Sequence, residues 1–218
     1  MPIRCLAFTT TYRRPHMALC CLLQMRAQKF PVRHVMRVAS DAPEADYAAL
    51  LRRWAPPQTR VLSGLNGRQH DNYLDAIRAE PAFDRFDLYV KIDDDDFYDP
   101  DYVLNVVDDW KARRWNVSSA ASEGHVNGTC MKPGALRGLG AIHEEGATPQ
   151  FEMPGTLVFD RKALDCLLRL TGGDEFEDKT WRRAWLAANL EVSIRERSNY
   201  VYHVHGANSS TAHWFDAG

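Results

Sequence analysis

Four consecutive carboxylates, Asp93-Asp94-Asp95-Asp96, stand directly after the apolar segment 86–92. Adjacent carboxylates repel one another, and a hard divalent cation relieves that repulsion. Oxygen donors of this kind suit Mg²⁺ or Mn²⁺. The plainer reading is an acidic turn opening the next helix, where negative charge complements the helix N-terminus. An EF-hand loop does not fit, because counting from Asp94 puts Asp99 where that loop needs glycine. A second acidic pair, Glu177-Asp178, follows Gly172-Gly173-Asp174-Glu175-Phe176 and precedes an amphipathic stretch. A carboxylate held there can take a proton from an attacking hydroxyl, or it can simply cap a helix. In His203-Val204-His205 the two imidazoles share one face of a strand. A neutral imidazole joins carboxylate oxygens on a metal as readily as it sits exposed on a strand.

The elements that must position these groups are legible from periodicity. Apolar runs predict strands over 3–8, 34–39, 60–62, 86–92, 117–121, 156–159, 192–195 and 200–204. Helical spacing predicts helices over 15–29, 45–54, 71–78, 102–113, 162–170 and 179–188, the first opened by Pro15. Strand alternating with helix implies an α/β fold with a mostly parallel sheet. In open sheets of that kind ligands bind beyond the carboxyl ends of strands, which is where Asp93 to Asp96 stand. Residues 132–150 are glycine-rich with little periodicity and read as a long loop. Trp181 and Trp185, at helical spacing, read as core.

The chain has 218 residues, 45% hydrophobic and 26% charged, with a formal net charge of -2. That length suits one domain spanning 1–218, and the charge balance gives no overall pull toward nucleic acid or acidic membrane. The five cysteines are odd in number and form no CxxC pair, so free thiols are expected and neither a disulfide nor a zinc site is implied. The first ten residues turn polar too soon for a signal peptide, and no apolar run approaches the ~20 residues of a membrane span. A cytoplasmic protein is expected.

An aspartate run after an apolar strand resembles the DxD motif of GT-A fold glycosyltransferases, in particular the large inverting family two. The likeness covers nearly the whole chain. It implies an α/β, Rossmann-like, mostly parallel sheet flanked by helices, with a small C-terminal acceptor-side portion. Residues 1–100 would form the nucleotide-sugar-binding half and 101–218 the acceptor-binding and catalytic-base half. In that resemblance Asp93 and Asp94 lie near the donor nucleotide and Asp95 ligates Mn²⁺ or Mg²⁺, with Asp96 the alternate ligand. Thr9, Thr11, Tyr12 and Arg14 resemble the opening donor loop, and Asp41 resembles the residue that accepts a hydrogen bond from the base. Gly67-Arg68, followed by Asn72, resembles the segment that lies along the nucleotide. Glu177-Asp178 resembles the family's pair at the head of a helix, with Asp178 favoured as base. His205 resembles a late metal ligand, and Gly155 and Thr156 resemble the acceptor-side segment.

The activity implied is metal-dependent transfer of a sugar from a nucleotide-sugar, UDP by prior, to an acceptor hydroxyl with inversion. The acceptor is open among a glycan, a lipid-linked intermediate, a protein and nucleic acid. A nucleotidyltransferase could use the same aspartates, but it generally needs a glycine-rich loop after the first strand, and residues 9–15 contain no glycine. A DNA-modifying glycosyltransferase acting on a hydroxylated base would need a basic face, for which Arg26, Arg33, Arg37, Arg52, Arg53, Arg113 and Arg114 are candidates.

Overall fold

The computed structural model describes residues 2–12, 14–38, 44–64, 69–120, 124–127, 154–170, 177–195 and 200–204. The chain opens with β1 (Cys5–Thr11), α1 (Pro15–Ala27), β2 (Val32–Val38), α2 (Glu44–Trp54), β3 (Thr59–Ser63) and α3 (Gln69–Arg78). Then come β4 (Leu88–Lys91), the short β5 (Phe97–Tyr98), α4 (Tyr102–Arg113), β6 (Val117–Ala120) and β7 (Gly124–Asn127). The last described elements are β8 (Val158–Asp160), α5 (Arg161–Leu167), α6 (Glu177–Ala187), β9 (Val192–Arg195) and β10 (Tyr200–Val204).

Seven strands form the main sheet in the order β3-β2-β1-β4-β8-β6-β9. The pairings β3–β2, β2–β1, β1–β4 and β6–β9 are parallel, while β8 runs antiparallel to both of its neighbours. Strand alternation sends β1 side chains to two cores. Cys5 and Ala7 face a core built with α1, α2 and α4, which contains Leu22, Met25, Leu51 and Val106. Leu6 and Phe8 face a second core built with α3, α5 and α6, which contains Tyr73, Leu164, Trp181 and Trp185. The sheet is thus covered on both faces, as buried parallel strands require. Trp181 and Trp185 are core residues, as their spacing predicts.

Local chemistry sets the element ends. Pro15 occupies the first turn of α1, where its missing N–H costs nothing. The α4 helix stops at Arg114, which takes a left-handed conformation with φ 57° and returns its N–H to the Trp110 carbonyl. Asp160 caps α5, its carboxylate accepting from the Ala163 N–H at 2.9 Å.

A second sheet of three strands, β5-β10-β7, was not expected in full. The β5 strand has only two residues, and β7, Gly-His-Val-Asn, holds a single large apolar residue, so neither forms an apolar run. Strand β8 starts at Val158, with a short 3-10 turn over Pro154–Thr156 in front of it. The predicted loop 132–150 lies outside the described residues. Among the described residues Cys5, Cys20, Cys21 and Cys166 are free thiols, and no helix is long and apolar enough to cross a membrane.

Candidate active site

The order of the sheet decides where a crevice opens. Strands β2 and β3 extend to one side of β1, and β4 lies on the other. The last paired residues of β1 and β4 are Phe8 and Lys91, joined by a final bond from the Ile92 N–H to the Phe8 carbonyl at 3.1 Å. Beyond them the two chains part. This is the topological switch point, where open α/β sheets bind ligands, and Asp93 to Asp96 leave β4 just there.

Each aspartate has a different anchor. The Asp94 carboxylate accepts from Thr11 Oγ1 at 2.5 Å, across the crevice from the end of β1. Arg14, at the start of α1, divides its guanidinium between Asp94 and Asp95. Asp93 accepts from Tyr73 Oη at 3.1 Å on α3 and pairs with Lys91 Nζ at 3.1 Å. Asp96 accepts from Tyr200 Oη at 2.5 Å, and its carbonyl accepts from Gln24 Nε2 at 3.1 Å. Gln24 also takes the Tyr98 N–H at 2.6 Å, so one α1 side chain holds the turn on which the cluster sits.

Exposure separates the four. The Asp93 and Asp95 side chains are 24% and 11% exposed, whereas that of Asp94 is 1% exposed and Asp96 is fully buried. Burial pushes the Asp94 carboxyl up to about 7, although Arg14 and Thr11 act to lower it. Burial works against the charge on Arg14, but Asp94 and Asp95 outweigh it and hold the guanidinium protonated.

The floor of the site comes from the second half of the chain. Because β8 is antiparallel, its leading residues Gly155 and Thr156 reach the same sheet edge as the end of β4. Tyr98 Oη donates to the Gly155 carbonyl at 2.8 Å and accepts from the Asp93 N–H at 2.9 Å. A methyl group on Gly155 would meet Asp96 Oδ2 at 2.8 Å and Asp93 Oδ2 at 2.9 Å, so only glycine fits under the carboxylates. The Thr156 carbonyl accepts from Arg195 Nη2 at 3.0 Å. Arg195 is fully buried, and among the described residues its Nε and Nη1 have no hydrogen-bond partner.

The remaining candidates divide as follows. Thr9 is fully buried, with its hydroxyl 3.0 Å from His34 Nε2, one pleat deeper than Thr11. Tyr12 is 52% exposed at the crevice lip. Glu177 and Asp178 form the N-terminus of α6, though their side chains lie outside the described residues. Asp41, Arg68 and His205 lie outside the described residues altogether. Sequence reading passed over Lys91, Tyr73, Tyr98, Tyr200 and Gln24. Lys91 alone left a signal, as a charge near the end of an apolar strand.

A divalent cation fits this donor set. Among the described residues no three acidic, histidine or cysteine side chains converge to hold an ion by themselves. From the described residues an ion here would draw on Asp95 and at most one further carboxylate, leaving other positions to substrate phosphates, water and residues outside the described ones. That is the usual way Mg²⁺ is bound.

No protein-family model matches the sequence, and no curated protein matches it. Solved structures do. The first 349 residues of S. aureus TarS, in complex with UDP-GlcNAc, superpose with a TM-score of 0.67 at 13% identity, covering 96% of this chain and 61% of that one. The chain has the GT-A glycosyltransferase fold. The mannosyltransferase PcManGT from Pyrobaculum calidifontis, in complex with GDP-Man and Mn²⁺, gives 0.67 at 15% identity, covering 98% and 60%. A protein assigned as a nucleotide-diphospho-sugar transferase from Desulfovibrio desulfuricans G20 gives 0.55 at 10% identity, covering 96% and 90%. This GT-A chain spans about three fifths of the TarS and PcManGT chains it matches.

Proposed function

We propose that this chain is a metal-dependent glycosyltransferase that moves a sugar from a nucleotide-sugar, a UDP-sugar in the first instance, to an acceptor hydroxyl with inversion. One observation carries the reading. At the switch point of a GT-A sheet, Asp93 and Asp95 are the two members of the acidic run with exposed carboxylate surface, an alternation that matches a DxD motif. The bound ligands of TarS and PcManGT, UDP-GlcNAc in one and GDP-Man with Mn²⁺ in the other, support a nucleotide-sugar donor and a divalent cation.

In this reading Asp95 is the principal ligand of Mn²⁺ or Mg²⁺, and Asp93, braced by Lys91 and Tyr73, faces the donor. When bound, the ion supplies Lewis-acid neutralisation of charge on the leaving diphosphate. Arg14 adds positive charge beside the phosphates, and Tyr12 offers an exposed ring and hydroxyl to the nucleoside. Asp94 is the strut that joins β1 to the turn, with Thr11 bonded to it, and Thr9 braces β1 from below. Asp41 and Arg68 are assigned to the nucleotide and His205 to the ion. Asp178, with Glu177 beside it, takes the proton of the acceptor hydroxyl as that oxygen attacks the anomeric carbon. The bond from that carbon to the nucleoside diphosphate breaks on the opposite side, and the proton stays on the carboxylate. Gly155 and Thr156 form the floor on which donor and acceptor meet.

Neither rival gains support from the structure. The chain between β1 and α1 carries no glycine-rich phosphate loop. Of the basic-face candidates, Arg33, Arg37 and Arg113 are paired with Glu80, Asp75 and Asp109, which lowers their call on DNA phosphates.

The test is thermal melting against UDP, GDP and their sugar conjugates, with Mn²⁺ and with EDTA. Ligand at a hundred times its Kd should raise Tm by roughly 5–10 °C for a domain of this size. The rise should vanish in EDTA. Asp178→Asn should keep that rise and lose sugar transfer by 100-fold or more. Equal loss of both properties would refute the assignment of Asp178 as base.

A further inference from the structure

We infer that Arg14 is an exchangeable counter-ion, bonded either to the acidic run or to the donor diphosphate, and that this exchange makes metal and nucleotide bind cooperatively. The inference rests on the glycosyltransferase reading above and deepens it.

The geometry is specific. Arg14 Nη1 bonds Asp95 Oδ2, and Nη2 bonds Asp94 Oδ1. A cation ligated by Asp95 on that oxygen competes with Nη1 for it, and the two positive charges repel at so short a range. The two carboxylates differ in what they would lose. Asp94 keeps the Thr11 hydroxyl at 2.5 Å, whereas Asp95 would exchange one cation for another. Arg14 is less confined than Lys91, the other cation of the site. It directly precedes α1 and makes no side-chain cap of that helix, and its side chain is 22% exposed. Lys91, by contrast, is fully buried beneath Asp93 and packed 5.0 Å from the centre of the Tyr73 ring, so it stays with its carboxylate.

The energetic consequence follows. With metal alone, the displaced guanidinium exchanges a charge-assisted bond for water, and that loss is subtracted from metal affinity. With a nucleoside diphosphate present, the phosphate oxygens receive the fork bidentately. The same exchange then favours binding. Coupling of this kind is reciprocal: nucleotide tightens metal by the same factor as metal tightens nucleotide.

The experiment titrates Mn²⁺ into the protein and counts the free ion by its electron paramagnetic resonance signal, with and without saturating UDP. It uses wild type, Arg14→Gln and Arg14→Lys, each first shown to melt cooperatively. Removing the internal cation should tighten Mn²⁺ alone by about tenfold in Arg14→Gln, the scale of one charge-assisted contact. The factor by which UDP tightens Mn²⁺ should shrink in that variant. Arg14→Lys, which keeps the charge but not the fork, should fall between the other two. Weaker or unchanged Mn²⁺ binding in Arg14→Gln would overturn the exchange while leaving the metal site standing. If Mn²⁺ bound neither wild type nor variant, with or without UDP, the metal-dependent reading would fall together with the exchange. A coupling factor identical in wild type and Arg14→Gln would overturn the exchange alone.

Discussion

At Gly155 an added methyl group would lie within 3 Å of carboxylate oxygens from both Asp93 and Asp96, and 3.1 Å from Tyr200 Oη. None of these neighbours yields cheaply. Asp96 is tied to Tyr200, and Asp93 is tied to Lys91 and Tyr73. Gly155→Ala should therefore cost about 1–3 kcal/mol through overpacking. Melting without ligand measures that cost. The displaced Asp93 should also weaken the nucleotide-dependent rise in Tm, which separates a displaced site from a merely looser fold. The acidic run shows what can and cannot be read from residues. Its position after a strand was legible, because an apolar run ending in charge marks a strand end. Which aspartate faces outward was not legible. That choice depends on Tyr200, Tyr98 and Thr11, which approach from segments far apart in sequence.

Among the elements, β1, β2 and β3 are joined by more than their ladders. His34 on β2 lies with Nε2 3.0 Å from Thr9 Oγ1 on β1 and Nδ1 3.3 Å from Thr59 Oγ1 on β3. Burial lowers its pKa from 6.5 to about 3, so the folded chain holds the imidazole neutral. A value depressed by folding means the unfolded chain binds the proton first. The contribution of His34 is thus complete above pH 6.5 and lost as pH falls toward 3. By pH 5 the loss is roughly 2 kcal/mol. His34→Gln should show a shallower fall in Tm between pH 7 and pH 5 than wild type, whatever its stability at pH 7. An equally steep fall would show that other groups carry the acid sensitivity. Helix boundaries were legible to within a few residues, as in α4, whose apolar spacing and flanking Asp99-Pro100 mark the start. Strand order was not, since periodicity identifies a strand but not its neighbour.

The described residues form two cores sharing one sheet. Leu6 and Phe8 on one side and Cys5 and Ala7 on the other belong to a single strand, so neither core can open without exposing the other. Unfolding should be a single transition, with tryptophan fluorescence and far-ultraviolet circular dichroism giving the same midpoint in urea. Trp181 and Trp185 report the α3-α5-α6 side and Trp115 the α1-α4 side. Separate midpoints would mean that the halves are independent. The α/β class and the mostly parallel sheet were legible from alternating elements. The reversed β8 was not, because so short a strand carries no mark of direction.

That reversal has an evolutionary consequence. Strand β7 ends at Asn127 in the small sheet beside the crevice, and the chain is described again at Pro154, already at the crevice floor. Strands β4 and β8 pair directly, so no described strand lies between them. The length of the sequence between 127 and 154 can change without shifting the β4–β8 register, which those strands hold by direct pairing. Selection can then alter that stretch while the aspartates, their tyrosines and Gly155 stay where they are. Descendants of such a chain should differ most between 128 and 153 and least at the ends of β1 and β4.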